Sequence, residues 1–248
     1  MRPSLFGTID DAKALDDLRN RDVNYDEEGS VEGSRPDGHW HVEAGSTVIA
    51  REQPGPPADG GPWGLACDLV SGYEFADGPI LRAVYRSEQS LLGRDMLLEG
   101  RFFGLRFYLG VRVTAVTDET RTGESGPERV WGWSYQTLQG HLEQGRLTYE
   151  VIKRLSTGEV IFRIHGYSRP APISDPVIRL GFWLFGRWTQ QRFYRNVQGR
   201  MRHLLDAAQR GKPMPTPAER ADGIVLAPSG VRPRRRERLA RGRLDAGR

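Results

Sequence analysis

The stretch that decides the fold is Trp131-Gly-Trp-Ser-Tyr-Gln-Thr-Leu-Gln-Gly-His-Leu-Glu-Gln-Gly145. Side chains of a β-strand alternate between its two faces, so Trp131, Trp133 and Tyr135 share one face and Thr137 continues the row. A stripe of two indoles and one phenol offers a large apolar surface with a few polar groups. Such a surface is typical of a core or of the wall of a ligand pocket. The sequence therefore predicts an aromatic strand that ends in a sharp turn at Gly140-His141.

Other segments with strand-like alternation lie on both sides of this strand, at 39–51, 96–103, 105–116, 147–155 and 160–169. The last two predict a hairpin around Thr157-Gly158, and a two-residue turn there would place Glu150 opposite His165. The polar residues 117–129, with two glycines and a proline, predict an exposed loop.

Helical spacing appears in two regions of the chain. Residues 63–85 predict two short helices that are separated at Gly78-Pro79. A long helix is predicted from Ser174 or Asp175 to about Gln209, with an apolar stripe in its second half. The aromatic run 182–188 within it is interpreted as core, and the alternative is a membrane-surface role with Arg179 and Arg187 at its flanks.

An antiparallel sheet with helices gathered on one face is an α+β arrangement. We expect a curved antiparallel β-sheet packed on a long C-terminal helix, with two short helices, and this order is similar to the helix-grip fold of lipid-transfer-like proteins. Three parts are predicted: an acidic, loosely ordered segment at 1–38, a single α+β domain at 39–211, and a disordered Pro/Arg-rich tail at 212–248. The fold by itself does not define a function.

Composition limits the location and the partners. The single cysteine, Cys67, excludes an internal disulfide, and no apolar stretch reaches the roughly 20 residues that span a bilayer. With no secretory signal in the sequence, we expect a cytoplasmic protein. The net charge of +4 comes mostly from the tail, where Arg232–Arg243 provides one possible contact to nucleic acid or an acidic surface.

Two blocks of the sequence resemble a known family. The first is the aromatic-Gly-aromatic-x-Tyr-x-Thr-Leu-x-Gly-His-x-Glu-x-Gly pattern of residues 131–145, and the second is Tyr167-Ser-Arg-Pro-Ala171. Together with residues 93–102 they are similar to the domain-of-unknown-function family 1990. The resemblance covers roughly residues 40–209 and implies a domain of the small-molecule-binding type, with no agreed ligand and no assigned catalytic residues. Members often carry an acid after the final glycine, where this chain has Arg146.

The candidate site residues follow from these motifs. The predicted ligand-binding residues share the aromatic strand or the end of the last strand; they are Trp131, Trp133, Tyr135, Thr137 and Arg169. His141 and Glu143 are candidates for an acid/base pair at a pocket mouth, and the alternative is a tight turn in which both bond to the backbone. Arg169 is interpreted either as a ligand for a carboxylate or phosphate, or as a structural partner of Glu143 or Glu150.

Other chemistry-bearing residues have structural interpretations. Glu150 and His165 are interpreted as a structural cross-strand pair. His39 and His41 lack companion ligands, and Cys67 has no histidine close in sequence, so neither a metal site nor a cysteine nucleophile is predicted, and no cofactor is expected.

Three hypotheses remain for the function. The first is binding of a hydrophobic or amphipathic small molecule between the sheet and the C-terminal helix. The second is a cofactor-free enzyme, such as a cyclase, hydrolase or isomerase, that uses His141 and Glu143. The third is an interaction protein that acts through its termini, above all through its Arg-rich tail.

Overall fold

The computed structural model describes residues 9–25, 40–102, 105–171, 193 and 195–230. The strands are, in chain order, β1 His41–Arg51, β2 Leu81–Arg86, β3 Asp95–Phe102, β4 Leu105–Gly123, β5 Gly126–Thr137, β6 Glu143–Arg154, β7 Glu159–Pro170, β8 Ala218–Glu219 and β9 Ile224–Ala227. The helices are α1 Asp11–Arg19, α2 Pro62–Ser71 and α3 at 195–209.

These strands form one antiparallel sheet in the order β1-β7-β6-β5-β4-β3-β2-β9-β8. The pairing shifts at Val48/Ala50 and at Val113/Ala115, and such bulges bend and twist a sheet. The predicted fold class is confirmed, because the protein is α+β with a curved antiparallel sheet packed on a C-terminal helix.

The inner face of the sheet is the face that α2 and α3 cover. Helix α3 and Phe193, two positions before its start, contribute a buried stripe with a spacing of four, namely Phe193, Val197, Met201 and Leu205. Side chains of α3 also donate hydrogen bonds to the segment after α2. Asn196 donates to the Asp77 carboxylate at 2.6 Å, and Arg200 donates to the Glu74 carbonyl at 2.8 Å. The N-terminal part of the predicted long helix, 174–192, lies outside the described residues.

The outer face carries α1, which corrects the prediction of a loosely ordered segment over 9–25. Asp10 caps this helix by accepting a hydrogen bond from the Lys13 N–H. The helix buries Leu15 and Leu18 against β-strand residues such as Val84 and Leu97. The sequence analysis did not predict this helix, because its few apolar residues lie among acidic ones and that composition is typical of a solvated segment.

The C-terminal tail was also predicted wrongly over 212–230. Strand β9 pairs with β2, and β8 pairs with β9 at the edge of the sheet. The run Ile224-Val-Leu-Ala227 is a strand because it hydrogen-bonds to β2 and buries Ile224 and Val225. Its neighbouring prolines and glycines had favoured disorder. Residues 231–248 lie outside the described part of the chain.

Two further secondary-structure predictions were wrong. The second short helix is strand β2, in which Ala83 and Tyr85 point to the inner face and Val84 to the outer face. The predicted loop 117–129 is instead the far half of the β4–β5 hairpin, which turns between Gly123 and Gly126. Its polar composition reflects solvent-exposed strand positions rather than a loop.

The β6–β7 hairpin exists with a register two residues away from the predicted one. Glu150 pairs with Arg163, and His165 pairs with Thr148. The connection has four residues, 155–158, rather than two, so the strands slide by two positions and every side chain keeps its predicted face. At Gly158 the φ angle is +72° and a Cβ would lie 2.0 Å from the Glu52 carbonyl oxygen, which only glycine allows.

No helix in the described part of the chain is long and apolar enough to cross a bilayer.

Candidate functional site

Aromatic side chains dominate the middle of the inner face. The fully buried ones are Trp133, Tyr149 and Phe162 from the sheet, and Tyr73 and Phe75 from the segment after α2. The ring centroids of Trp133 and Tyr149 lie 5.0 Å apart, and those of Phe75 and Tyr149 lie 4.7 Å apart. These distances are typical of favourable edge or tilted ring contacts.

The polar atoms of this aromatic cluster have partners inside the protein. The Trp133 indole N–H donates to the Val70 carbonyl at 3.1 Å, and the hydroxyls of Tyr73 and Tyr149 lie 3.4 Å apart. Burial raises the pKa of Tyr73 well above its usual value. Tyr73 has a φ angle of 62°, a left-handed conformation that is strained for a bulky residue. At the level of Trp133, large side chains therefore fill the space between the sheet and the helices.

The inner face changes character toward the end of the sheet at which β5 ends and β6 begins. Leu109, Tyr135 and Leu147 pack against the core, but each is only half-buried. Tyr135 pairs directly with Leu147 across the strands, and its ring centroid lies 6.2 Å from that of Trp133. An apolar surface thus continues from the closed core toward solvent.

The aromatic stripe predicted from the sequence therefore lies on the inner face, with its members in different surroundings. Trp131 is half-buried and Trp133 fully buried, whereas Tyr135 belongs to the half-buried end. The fourth member, Thr137, bonds to other parts of the chain. Its hydroxyl donates to the Asn24 side-chain oxygen at 2.6 Å and accepts from the Gly145 N–H at 3.0 Å.

His141 lies in the turn after β5 and is almost fully buried, with 8% of its surface exposed. Its Nδ1 accepts a hydrogen bond from the Glu143 backbone N–H at 2.9 Å. Burial lowers the pKa of His141 to about 4, so the ring is neutral at pH 7. With Nδ1 as the acceptor, the neutral ring carries its proton on Nε2. This contact corresponds to the tight-turn interpretation, and the acid/base role of His141 and Glu143 stays a prediction.

Asn24 holds the same turn from the N-terminal segment. Its backbone N–H donates to the Thr137 carbonyl at 3.1 Å, and its side-chain amide donates to the Glu143 carbonyl at 2.9 Å. Its carbonyl accepts from the Gln144 side chain at 2.5 Å. These contacts of Asn24 could not be predicted from the sequence, because a single asparagine within an acidic segment has no spacing that indicates a distant partner.

Arg169 lies at the end of β7 on the outer face, away from the aromatic core. Its Nε donates to the Gln144 side-chain oxygen at 2.8 Å, and its guanidinium lies 4.4 Å from the centre of the Trp40 ring. The structure thus separates Arg169 from Trp133 and Tyr135, with which it had been grouped as a ligand-binding residue. Its role in binding an anion stays a prediction.

Glu150 is a buried carboxylate on the outer face. Arg163 Nε donates to it at 2.6 Å, Arg121 Nη1 lies 3.3 Å away, and His165 Nε2 lies 3.4 Å away. Burial acts to raise the pKa of Glu150, but the hydrogen bonds and charges of these neighbours outweigh it and lower the pKa to about 2. The predicted Glu150–His165 proximity is present, although as a diagonal contact, since Arg163 is the directly paired residue.

The remaining candidates have structural surroundings. Burial raises the pKa of the Cys67 thiol well above its usual value, which disfavours the reactive thiolate. His41 is exposed, and His39 lies outside the described residues. Among the described residues, no three His, Cys, Asp or Glu side chains are grouped to hold a metal ion. Lys153 is buried on the inner face, where it donates to Glu52 at 2.5 Å and to the Pro56 carbonyl at 2.8 Å.

Comparisons with solved structures and with family models each found similar proteins. A structure titled "Crystal structure of Ara h 8.0201" is similar with 12% identity and a TM-score of 0.37, over 65% of this chain and 97% of that one. The fold described above rests on the strand pairing and packing of this chain itself. No curated protein matches the sequence. The model of the family described as "Domain of unknown function (DUF1990)" matches residues 24–200, most of the chain, so the protein belongs to this family.

Proposed function

We propose that the protein binds a hydrophobic or amphipathic small molecule on the inner face of the sheet, beside Tyr135 and Leu147 and under the C-terminal helix. The observation that carries this proposal is the gradient of burial along the inner face. At Trp133 and Tyr149 the core is closed, and its polar atoms have hydrogen-bond partners within the protein. The core continues into a half-buried apolar surface at Leu109, Tyr135 and Leu147.

The chemistry of this surface defines the kind of ligand. Leucine side chains and an aromatic ring favour an apolar ligand body through burial of apolar area, at about 25 cal/mol per Å². Tyr135 adds a phenol, a group that presents an apolar ring and a polar tip. An amphipathic molecule would place its apolar part against Leu109 and Leu147, with its polar part toward the open end.

The aromatic core serves as a rigid wall in this proposal. Trp133 and Tyr149 hold their orientations through ring contacts, and the Trp133 N–H is bonded to Val70. Pre-organised walls reduce the entropy that ligand binding costs. Trp131 and Trp133 thus back the binding surface, and Tyr135 contacts the ligand.

A fluorescence titration with N-phenyl-1-naphthylamine, an uncharged apolar probe, tests the proposal. We expect saturable binding to the wild-type chain and a loss of at least tenfold in affinity for Leu147→Glu, because a carboxylate against an apolar ligand costs several kcal/mol. The matched control is Val42→Glu, an equal change at a side chain that is 67% exposed on the outer face. This control should bind as the wild type does.

Thermal melts establish that both variants are folded, and Leu147→Trp provides a second variant that occupies the same space without adding charge. The proposal is wrong if the wild-type chain does not bind the probe saturably. It is also wrong if folded Leu147→Glu and Leu147→Trp both bind the probe with unchanged affinity.

A further inference from the structure

Strand β1 lies at one end of the sheet and, among the described strands, pairs with β7 alone. This pairing is regular from His41 to Val48. The Val48 carbonyl accepts a hydrogen bond from Nε of Arg202 in α3 at 2.9 Å, so this carbonyl points away from β7. Arg202 therefore covers the free edge of β1 at Val48, and the residues before Val48 form the rest of that edge.

Three residues of β1 direct their backbone groups toward the free edge, namely Val42, Ala44 and Ser46. The N–H and C=O groups of an antiparallel strand alternate between its two sides, so residues at even distances before Val48 share its orientation. Within the described part of the chain, no hydrogen bond reaches the edge groups of these three residues. We call this row of three N–H and three C=O groups the open edge. Such a row is a template for pairing with a further strand.

Side chains do not protect the open edge. Those of Val42, Ala44 and Ser46 lie on the outer face, are uncharged and are exposed, with 67% of Val42 accessible. Natural edge strands are commonly protected by lysine, proline, a bulge or a short length. Residues 41–47 contain no lysine or proline, and the bulge of β1 lies after them. The opposite edge of the sheet is protected by its length, because β8 has only two residues.

We propose that β1 pairs with β1 of a second copy of this chain, antiparallel and around a two-fold axis at Ala44. In this register Ala44 lies opposite Ala44 of the second copy, and Val42 lies opposite Ser46. Directly opposed residues whose backbone groups face each other exchange two hydrogen bonds. All six groups of the open edge in each copy are then bonded, and the two sheets become one continuous sheet.

The arrangement of the edge favours a second copy over an unrelated strand. A two-fold axis at Ala44 uses residues 42–46 of both copies and leaves the Val48 carbonyl to Arg202. The residue at the axis is small, so no bulky side chain meets its own copy there. Each exposed Val42 gains contact with Ser46 and Ala44 of the second copy. Like charges do not meet along the open edge, because its three side chains are uncharged.

A two-fold contact also closes after one step. Head-to-tail addition of β1 onto β8 would produce an open filament, and β8 offers only two residues for pairing. Residues 42–46 of each copy form a small interface. We therefore expect a reversible, concentration-dependent dimer rather than a permanent one.

Sedimentation equilibrium of the full chain over a wide range of concentrations tests the proposal. We expect the mass to rise reversibly from that of the single chain, 27.9 kDa, toward twice that value. The main variant is Ala44→Pro. Proline is compatible with an edge strand where its missing N–H would face solvent, so the pairing with β7 is kept. The variant removes the two hydrogen bonds across the axis, and we expect dimerisation to be about 30-fold weaker.

Ala44→Lys and Ala44→Glu test the position of the axis without a change in the backbone. Each variant alone places like charges opposite each other at the axis and should dimerise more weakly than the wild type. An equimolar mixture places a lysine opposite a glutamate and should restore dimers that contain both variants. The matched control is Ala218→Lys, an equal change at an exposed alanine of β8. This control should dimerise as the wild type does.

A wild-type chain that stays monomeric at every concentration would overturn the proposal. Circular dichroism melts establish that the variants are folded. A folded Ala44→Pro chain that dimerises as the wild type does would show that the dimer uses another surface. If Ala44→Pro does not fold, the charged variants decide, and the proposal is wrong if their mixture dimerises no better than either variant alone.

Discussion

Acid should destabilise the protein through His141, and the size of the effect follows from its burial. The pKa of His141 is lowered from 6.5 to about 4 because burial disfavours the charged ring. A histidine whose folded-state pKa is depressed binds fewer protons in the folded than in the unfolded state. Its contribution to stability is therefore complete above pH 6.5 and is lost as the pH falls from about 6.5 to about 4. At about 1.4 kcal/mol per pKa unit, the loss approaches 3 kcal/mol at pH 4.

The variant His141→Asn isolates this contribution from other acid-sensitive groups. The asparagine side-chain oxygen takes the place of Nδ1 as acceptor for the Glu143 N–H but does not titrate. Urea unfolding of both chains at several pH values between about 7 and 4 measures the free energy of unfolding. We expect the free energy of unfolding of the wild-type chain, taken relative to that of His141→Asn, to fall by about 1.4 kcal/mol between pH 7 and pH 5.5. Between pH 7 and pH 4 it should fall by about 3 kcal/mol. A difference between the two chains that stays constant over this range would refute the burial of a neutral His141.

Two further substitutions test the packing around the sheet. Glu150→Gln should lower the free energy of unfolding at pH 7 by about 3 kcal/mol, because it leaves Arg163 beside a neutral group. This loss should fade as the pH falls from 4.5 toward about 2, the range in which wild-type Glu150 itself becomes protonated, and a pH-independent loss would contradict the assigned pKa. Gly158→Ala should cost more than Gly211→Ala by urea unfolding. Both positions have positive φ, but the new Cβ meets the Glu52 carbonyl only in the first case, and equal costs would show that the β6–β7 turn relaxes.

The sheet was predictable where one face of a strand is buried and the other is polar. The alternation of Trp131, Trp133 and Tyr135 identified β5 and its inner face without knowledge of its neighbours. The same physics predicted the faces of β6 and β7, but their register depends on the length of the turn. The four-residue turn at 155–158 moved the pairing by two positions, which no periodicity within the strands reveals.

The elements that the sequence missed depend on long-range contacts. Strand β9 exists because β2 offers hydrogen bonds to it, and α1 is covered on its apolar side by β2, β3 and β9. Likewise, the bonds of Asn24 to the turn after β5 join residues more than 100 positions apart. Local composition cannot indicate such partners. The predicted domain, 39–211, was therefore too short at both ends.

The candidate site was predictable as a surface but not as a set of contacts. The aromatic stripe correctly indicated the inner face. Thr137 was assigned to the site because it continues the row of the stripe, and Arg169 because it lies at a strand end. Thr137 bonds to Asn24 and Gly145, and Arg169 lies on the opposite face beside Trp40. Tyr73 contacts Trp133 in the core. The contact was not predicted, because the backbone of Tyr73 is left-handed and no pattern in the sequence indicates that conformation.

Native mass spectrometry of the purified chain, followed by solvent extraction of whatever is bound, tests the central claim most directly. We expect a hydrophobic or amphipathic molecule to co-purify with the wild-type chain and with Val42→Glu, and to be absent from folded Leu147→Glu. Its extraction would give the chemical class of the ligand. A wild-type chain that shows only its own mass of 27.9 kDa, and that takes up no apolar molecule from a lipid and metabolite panel, would contradict the proposal of a ligand site on the inner face.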